Sequence, residues 1–313
     1  MKHTETFLQK GWSVATLAMI CCFLWGSAFP CIKIGYELFS ISSADTASQI
    51  LFAGTRFILA GLLTLLFGSI ISRKVLIPPK KSWGMILKLS MAQTVIQYLL
   101  FYIGLAHTSG VKASIIEASN VFLAILISSL LFHYEKLGKT KIIGCLVGFA
   151  GVVLINLNGV GLDHSMSVLG EGFILLSTLS YAFSSVLIKA YGQKENPVTL
   201  SGCQFTLGGI IMTVAGLFMG GKLHTLSPHG IILLIYMALI SAVAYSLWAI
   251  LLKYNPIGGV AVYGFMNPIF GVILSAVLLK EKNQAFTIQG LISLILVCIG
   301  IYIVNKDFTK QKS

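Results

Sequence analysis

Ten stretches of mostly apolar residues follow one another along this chain with short connections between them, and no other feature constrains the fold as much. They run over residues 12–36, 48–71, 83–106, 109–132, 139–157, 169–191, 198–220, 229–252, 257–279 and 287–305. A helix that spans a bilayer needs about 20 such residues. In hydrocarbon every backbone N–H and C=O has to be bonded within the protein, so runs of this length are expected to be transmembrane helices. Only 10% of the 313 residues are charged, against roughly 25% in an average soluble domain. That is too little charge to coat a water-facing surface, so lipid has to cover it. The first run follows Lys2 and Lys10 but is too long for the apolar core of a signal peptide, and the sixth run repeats its pattern, so it is expected to be retained.

The net charge of +12 sits in the connections, which makes anionic lipid headgroups the expected partner and not nucleic acid. Fourteen Lys and Arg, among them Arg73, Lys74, Lys80, Lys81, Lys139 and Lys194, fall on one side, and three, Lys222, Lys280 and Lys282, on the other. Positive residues stay cytoplasmic, so both termini are expected there, in an inner (plasma) membrane. The stretch from Asn158 to Gly170 divides the chain into residues 1–157, a linker at 158–168, and residues 169–313. Each half holds five runs, an odd number, so the second half must sit upside down relative to the first. The six cysteines lie in apolar runs without a C-x-x-C pair and read as small core residues.

The halves repeat one another in order. Trp25 to Lys33 has the spacing of Tyr181 to Lys189. Gly54-Thr55-Arg56-Phe57 matches Gly202-Cys203-Gln204-Phe205, and Gln97 to Phe101 matches Ala244 to Trp248. The run Ser119 to Lys136, closing on Glu135-Lys136, is echoed by Gly264 to Lys282, closing on Glu281-Lys282. In the later copy Gly264, Pro268, Gly271 and Ser275 are spaced by 4, 3 and 4, one small helix face that lets another backbone come close.

Trp25-Gly26-Ser27-Ala28-Phe29 running to Lys33, Arg56-Phe57 with Ala60, and the Glu135-Lys136-Leu137 and Glu281-Lys282 helix ends resemble the EamA-type permeases of the drug/metabolite transporter superfamily. The resemblance covers almost the whole chain. It implies ten helices in two inverted five-helix repeats, a central cavity, no bound cofactor, and transport of a small metabolite by alternating access, with export as the implied direction. It does not name the solute, because members carry amino acids, drugs, sugars or nucleotide sugars. The chain departs from the family pattern at Val121-Phe122, where a proline is usual; only Pro268 is kept.

Ionisable groups in membrane runs are costly, so each needs a reason. Lys33, Arg56, Glu117 and Lys189 are the four singled out. Arg56 and Glu117 each lie about eight residues inside the same face, near 12 Å deep at about 1.5 Å per residue. They are expected either to pair with one another or to face the two ends of a zwitterionic solute in the cavity. Lys33 and Lys189 sit near opposite faces, which fits snorkelling to the interface as well as a gate. Gln97, Asn120, Gln204 and Asn267, with the aromatic residues Trp25, Tyr181, Tyr245, Trp248 and Tyr263, complete the expected substrate wall, a mixture suited to an amphipathic organic solute. Gly26, Gly264, Pro268 and Gly271 are the expected hinge or sliding positions. Glu135 and Glu281 are expected to fix the corners after their own helices. No Walker-type phosphate loop, metal-ligand cluster or nucleophile constellation appears, so neither cofactor nor metal is expected, and the chain is not expected to be an enzyme. Proton coupling, exchange and facilitated diffusion stay open, as do a monomer and a homodimer.

Overall fold

The computed structural model describes residues 8–133, 137–157, 167–192, 194–224, 227–255, 260 and 262–310. Among the described residues the protein is all helical and contains no strand. The helices are α1 (Gly11–Leu38), α2 (Thr46–Ser72), α3 (Lys80–Ala106), α4 (Gly110–Leu130), α5 (Lys139–Leu157), α6 (Val168–Gly192), α7 (Pro197–Phe218), α8 (Pro228–Tyr254), α9 (Tyr263–Leu278) and α10 (Ile288–Lys310). Seven of them, α1 to α4 and α6 to α8, are long and apolar enough to cross a membrane; α9, and the Ile288–Val304 part of α10, are shorter apolar stretches.

The starts follow from local chemistry. Asp45 accepts from the Ser48 N–H at the head of α2, and Ser109 from the Lys112 N–H at the head of α4. Asn196 and Ser227 do the same for α7 and α8, each followed by a proline that has no N–H to leave unpaired. Leu62, Leu66 and Ile70 on α2 and Ile210, Val214 and Leu217 on α7 remain exposed, as side chains meant for lipid would.

Two helices are irregular within their course, besides the π-helical opening of α6 at Val168–Gly172. The fourth run, expected as one helix, is two half-helices, Gly110–Glu117 and Asn120–Leu130, separated by a turn at Ala118–Ser119. In α3 the segment Ser90–Ile96 is wound as a π-helix. Such segments leave carbonyls for side chains to claim, and here neighbours do so. Ser180 on α6 donates to the Ala92 carbonyl at 2.6 Å, while Ser90 and Thr94 donate to the Gln204 carbonyl on α7.

The packing joins the two halves throughout. α1 lies against α8 and α9, and α6 against α3 and α4. α2 packs along α7, and α5 along α10. The α2–α7 seam has no room for a side chain at its glycines. A Cβ on Gly209 would fall 2.5 Å from the Ile58 nitrogen, one on Gly54 2.4 Å from the Thr213 nitrogen, and one on Gly61 2.5 Å from the Thr206 nitrogen. Gly54, Gly61 and Gly68 on α2, and Gly202, Gly209 and Gly216 on α7, recur every seven residues, so each set forms a stripe along its helix. Early residues of α2 meet late residues of α7, so the two run antiparallel. Backbone-to-backbone contact of this kind holds helices together in lipid, where apolar surface gains little by leaving hydrocarbon.

Candidate functional site

Between the halves lies a cavity of about 1060 Å³. It reaches from the middle of the bundle, at Arg56 and Glu117, to Ser72, Leu76, Gly192 and Asn196 at the end that carries Arg73, Lys74 and Lys194. We call this the basic end. Nine of the expected substrate residues line the cavity: Trp25, Arg56, Gln97, Glu117, Asn120, Tyr181, Tyr245, Trp248 and Asn267. Gly264 and Pro268 also line it. Trp25 on α1 meets Tyr245 and Trp248 on α8 at ring separations of 5.6 and 5.2 Å, forming an aromatic corner.

Two expected members stand elsewhere. Gln204 is fully buried between α3 and α7, where its amide N–H donates to Gln93 Oε1. Gln93, not Gln204, reaches the cavity. Tyr263 packs beside Val14, Ala18 and Leu251 near the basic end, and its carbonyl accepts from Cys22 Sγ at 3.4 Å.

Arg56 and Glu117 do not pair: among the described residues the ion pairs are Lys33–Glu281 and Lys112–Glu171. Arg56 is 2% exposed. Its guanidinium donates to Tyr102 Oη at 2.8 Å, the Met237 carbonyl at 3.2 Å and Ser241 Oγ at 3.2 Å, and lies 4.9 Å from the Phe57 ring centre. It thereby ties α2 to α3 and α8 through neutral acceptors. Glu117 ends the first half-helix of α4, and one of its oxygens accepts from Thr178 Oγ1 on α6 at 3.0 Å.

The end opposite the basic one carries a set of polar bonds around the α3–α4 turn. Lys33 donates to the Thr108 carbonyl at 2.6 Å and reaches Glu281 Oε1 at 3.4 Å. Lys33 thus ends at the α3–α4 turn and at Glu281, one of the two ion pairs among the described residues. Glu281 was expected to fix the corner after its own helix. It instead reaches across the bundle and accepts from the Gly110 and Val111 N–H groups at 3.2 and 3.0 Å. The reason is physical: the first N–H groups of a helix have no partner within it and carry partial positive charge, so a carboxylate settles there. Beside it Glu171 accepts from Thr108 Oγ1 at 2.8 Å, Lys112 Nζ at 3.3 Å and the Ser167 N–H at 2.9 Å. Carboxylates from the second half thus grip one turn of the first. Neither Glu171 nor Lys112 was among the four ionisable residues singled out in the sequence; their position at the ends of apolar runs hid them. Gly26 and Gly271 mark close helix crossings: a Cβ on Gly26 would be 2.8 Å from the Gly271 nitrogen, and one on Gly271 2.6 Å from Ser114 Cβ. The Lys189 side chain and Glu135 lie outside the described residues.

The sequence matches the profile of the EamA-like transporter family twice, over residues 12–157 and 168–306. It is 26% identical over 302 residues to the "Uncharacterized transporter YvbV" of Bacillus subtilis, covering 96% of this chain and 93% of that one. The "Uncharacterized inner membrane transporter YedA" of Escherichia coli is 27% identical over 296 residues, covering 90% and 89%. The "WAT1-related protein At3g02690, chloroplastic" of Arabidopsis thaliana is 25% identical over 309 residues, covering 96% and 70%. One solved crystal structure superposes with a TM-score of 0.66 over 96% of this chain and 99% of its own, at 16% identity, a likeness of fold.

Proposed function

This chain belongs to the EamA-like transporter family and is a multi-pass membrane protein, and we propose that it is a secondary-type carrier that exports a small amphipathic metabolite by alternating access. The observation that carries this reading is a cavity of mixed aromatic and polar lining that runs to the basic end, with the Glu281 and Glu171 bonds at the other. A solute enters from the basic end, which the excess of Lys and Arg assigns to the cytoplasm. The opposite bonds then part as the halves rock.

Support for ten spans in two inverted repeats comes from the packing. α2 and α7 hold corresponding places in the two halves and run antiparallel. α5 and α10 correspond in the same way: Gly144 meets Val304, and Gly151 meets Ser293. The first helix of each half packs on the third and fourth of the other, α1 on α8 and α9, α6 on α3 and α4. The double match to one family profile fits the same arrangement, with domains at 1–157 and 169–313. A substrate wall of Trp25, Gln97, Glu117, Asn120, Tyr245 and Asn267 suits a solute with an apolar body and a polar head, an amino acid or a drug-like compound.

Purified protein in proteoliposomes tests the proposal. A carrier gives saturable counterflow at turnover far below channel rates. Non-saturating flux means a channel, and chemical change of the solute means an enzyme; either result refutes the reading.

A further inference from the structure

The reading above leaves open which charge the solute must carry, and the two buried ions at the cavity answer differently. Arg56 is committed to the protein. Its three bonds go to neutral acceptors on two other helices, and it shows almost no surface to the cavity. Glu117 is not committed. Thr178 bonds one carboxylate oxygen, and the other has no partner among the described residues although the side chain lines the cavity. A carboxylate held among apolar walls with one oxygen unbonded is costly unless a proton or a bound cation neutralises it, so an arriving cation takes the place of the proton. The walls that share this cavity with Glu117 include Tyr98, Tyr181, Tyr245, Trp25 and Trp248. Aromatic faces carry partial negative charge and attract a nearby cation, more strongly when water is excluded. The ring contacts among Trp25, Tyr245 and Trp248 hold that wall in place before any ligand arrives.

We infer that, within the carrier reading on which this rests, Glu117 and the aromatic wall select a protonated amine on an apolar body, and that a carboxylate on the solute is dispensable. Arg56 is a positioning residue that sets α2 against α3 and α8, not the seat of a solute anion.

Three compounds with one ring and different charge test this: phenethylamine (cation), phenylalanine (zwitterion) and 3-phenylpropionate (anion). Thermal stabilisation of the full-length protein in detergent is measured with each, for the wild type, Glu117→Gln and Glu117→Asp. Glu117→Gln keeps the side-chain shape and can still accept from Thr178, so it is expected to fold. The amine is expected to raise the melting temperature of the wild type and the anion to leave it unchanged. Half-maximal stabilisation by the amine should need at least tenfold more compound in Glu117→Gln, with partial recovery in Glu117→Asp. Stabilisation by 3-phenylpropionate equal to that by phenethylamine overturns the inference, as does an unchanged response of Glu117→Gln or no response of the wild type to the amine. Proteoliposome flux of the same compounds separates the two levels. Saturable passage of the anion without the amine keeps the carrier and sinks the amine requirement. Binding of the amine with no passage of any of the three does the reverse.

Discussion

Gly209→Ala is the sharpest test of how α2 and α7 are joined. The added Cβ would lie 2.5 Å from the Ile58 nitrogen and 2.9 Å from both the Phe57 carbonyl carbon and the Gly54 oxygen, all of them backbone atoms. No rotamer change relieves a clash with backbone, so the helices must part by about 1 Å. A radial gap of that size forfeits a quarter to a half of each contact it opens. Overpacking of this kind costs about 1–3 kcal/mol. The displacement also reaches the cavity. Arg56 lies two residues from Ile58, and its bonds to Met237 and Ser241 on α8 are already 3.2 Å long, so a small shift weakens both. The assay is thermal unfolding in detergent beside Gly84→Ala, where an added Cβ meets nothing within 4 Å. Ala at such an exposed helical position is expected to stabilise by about 0.5–1 kcal/mol. Gly209→Ala should therefore melt several degrees below the wild type and Gly84→Ala at or above it. If Gly209→Ala melts with Gly84→Ala, the close seam is wrong.

Other predictions follow from the bonds at the two ends and in the middle. Tyr102→Phe removes the hydroxyl that Arg56 donates to at 2.8 Å and should cost about 1.5–3 kcal/mol, the range for a bond to a charged group, measured as a lower melting temperature. Glu281→Ala deprives the Gly110 and Val111 N–H groups of their acceptor and Lys33 of its counter-ion. A loss of about 1.4 kcal/mol from the Glu281 end changes its opening equilibrium roughly tenfold, which a cysteine placed at Ser114 reports as faster labelling by a membrane-impermeant thiol reagent added from that end; unchanged labelling refutes it. Outside the membrane helices, Glu195 accepts from the Ser82 hydroxyl and the Asn196 N–H, which holds its carboxyl below the usual carboxylate range, the hydroxyl contributing most. A depressed value stabilises the fold above the ordinary carboxylate range, and this is lost as the pH falls through the lowered value. The melting difference between wild type and Glu195→Gln should be small, because the site is exposed, and should vanish in acid.

The sequence by itself determined that the chain is helical and membrane-borne, because twenty uncharged apolar residues admit few other structures in lipid. It also brought out Arg56, Glu117 and most of the aromatic wall, since a polar group inside an apolar run stands out by composition alone. What it did not determine is which way each helix faces. The runs are apolar all round, so a side turned to lipid and a side turned to protein look alike, and amphipathic periodicity, the usual guide, is weak. The glycine stripes of α2 and α7 were present at seven-residue spacing, yet only the packed pair shows that they meet one another. Gln204 and Tyr263 left the expected wall, and Glu281 crossed to another helix, for the same reason. Their partners, Gln93, Val14 and the Gly110 N–H, are remote in the chain, and only tertiary packing brings them within bonding distance. The break at Ala118–Ser119, which stands between Glu117 and Asn120 at the cavity wall, was likewise not marked by any proline or glycine near it.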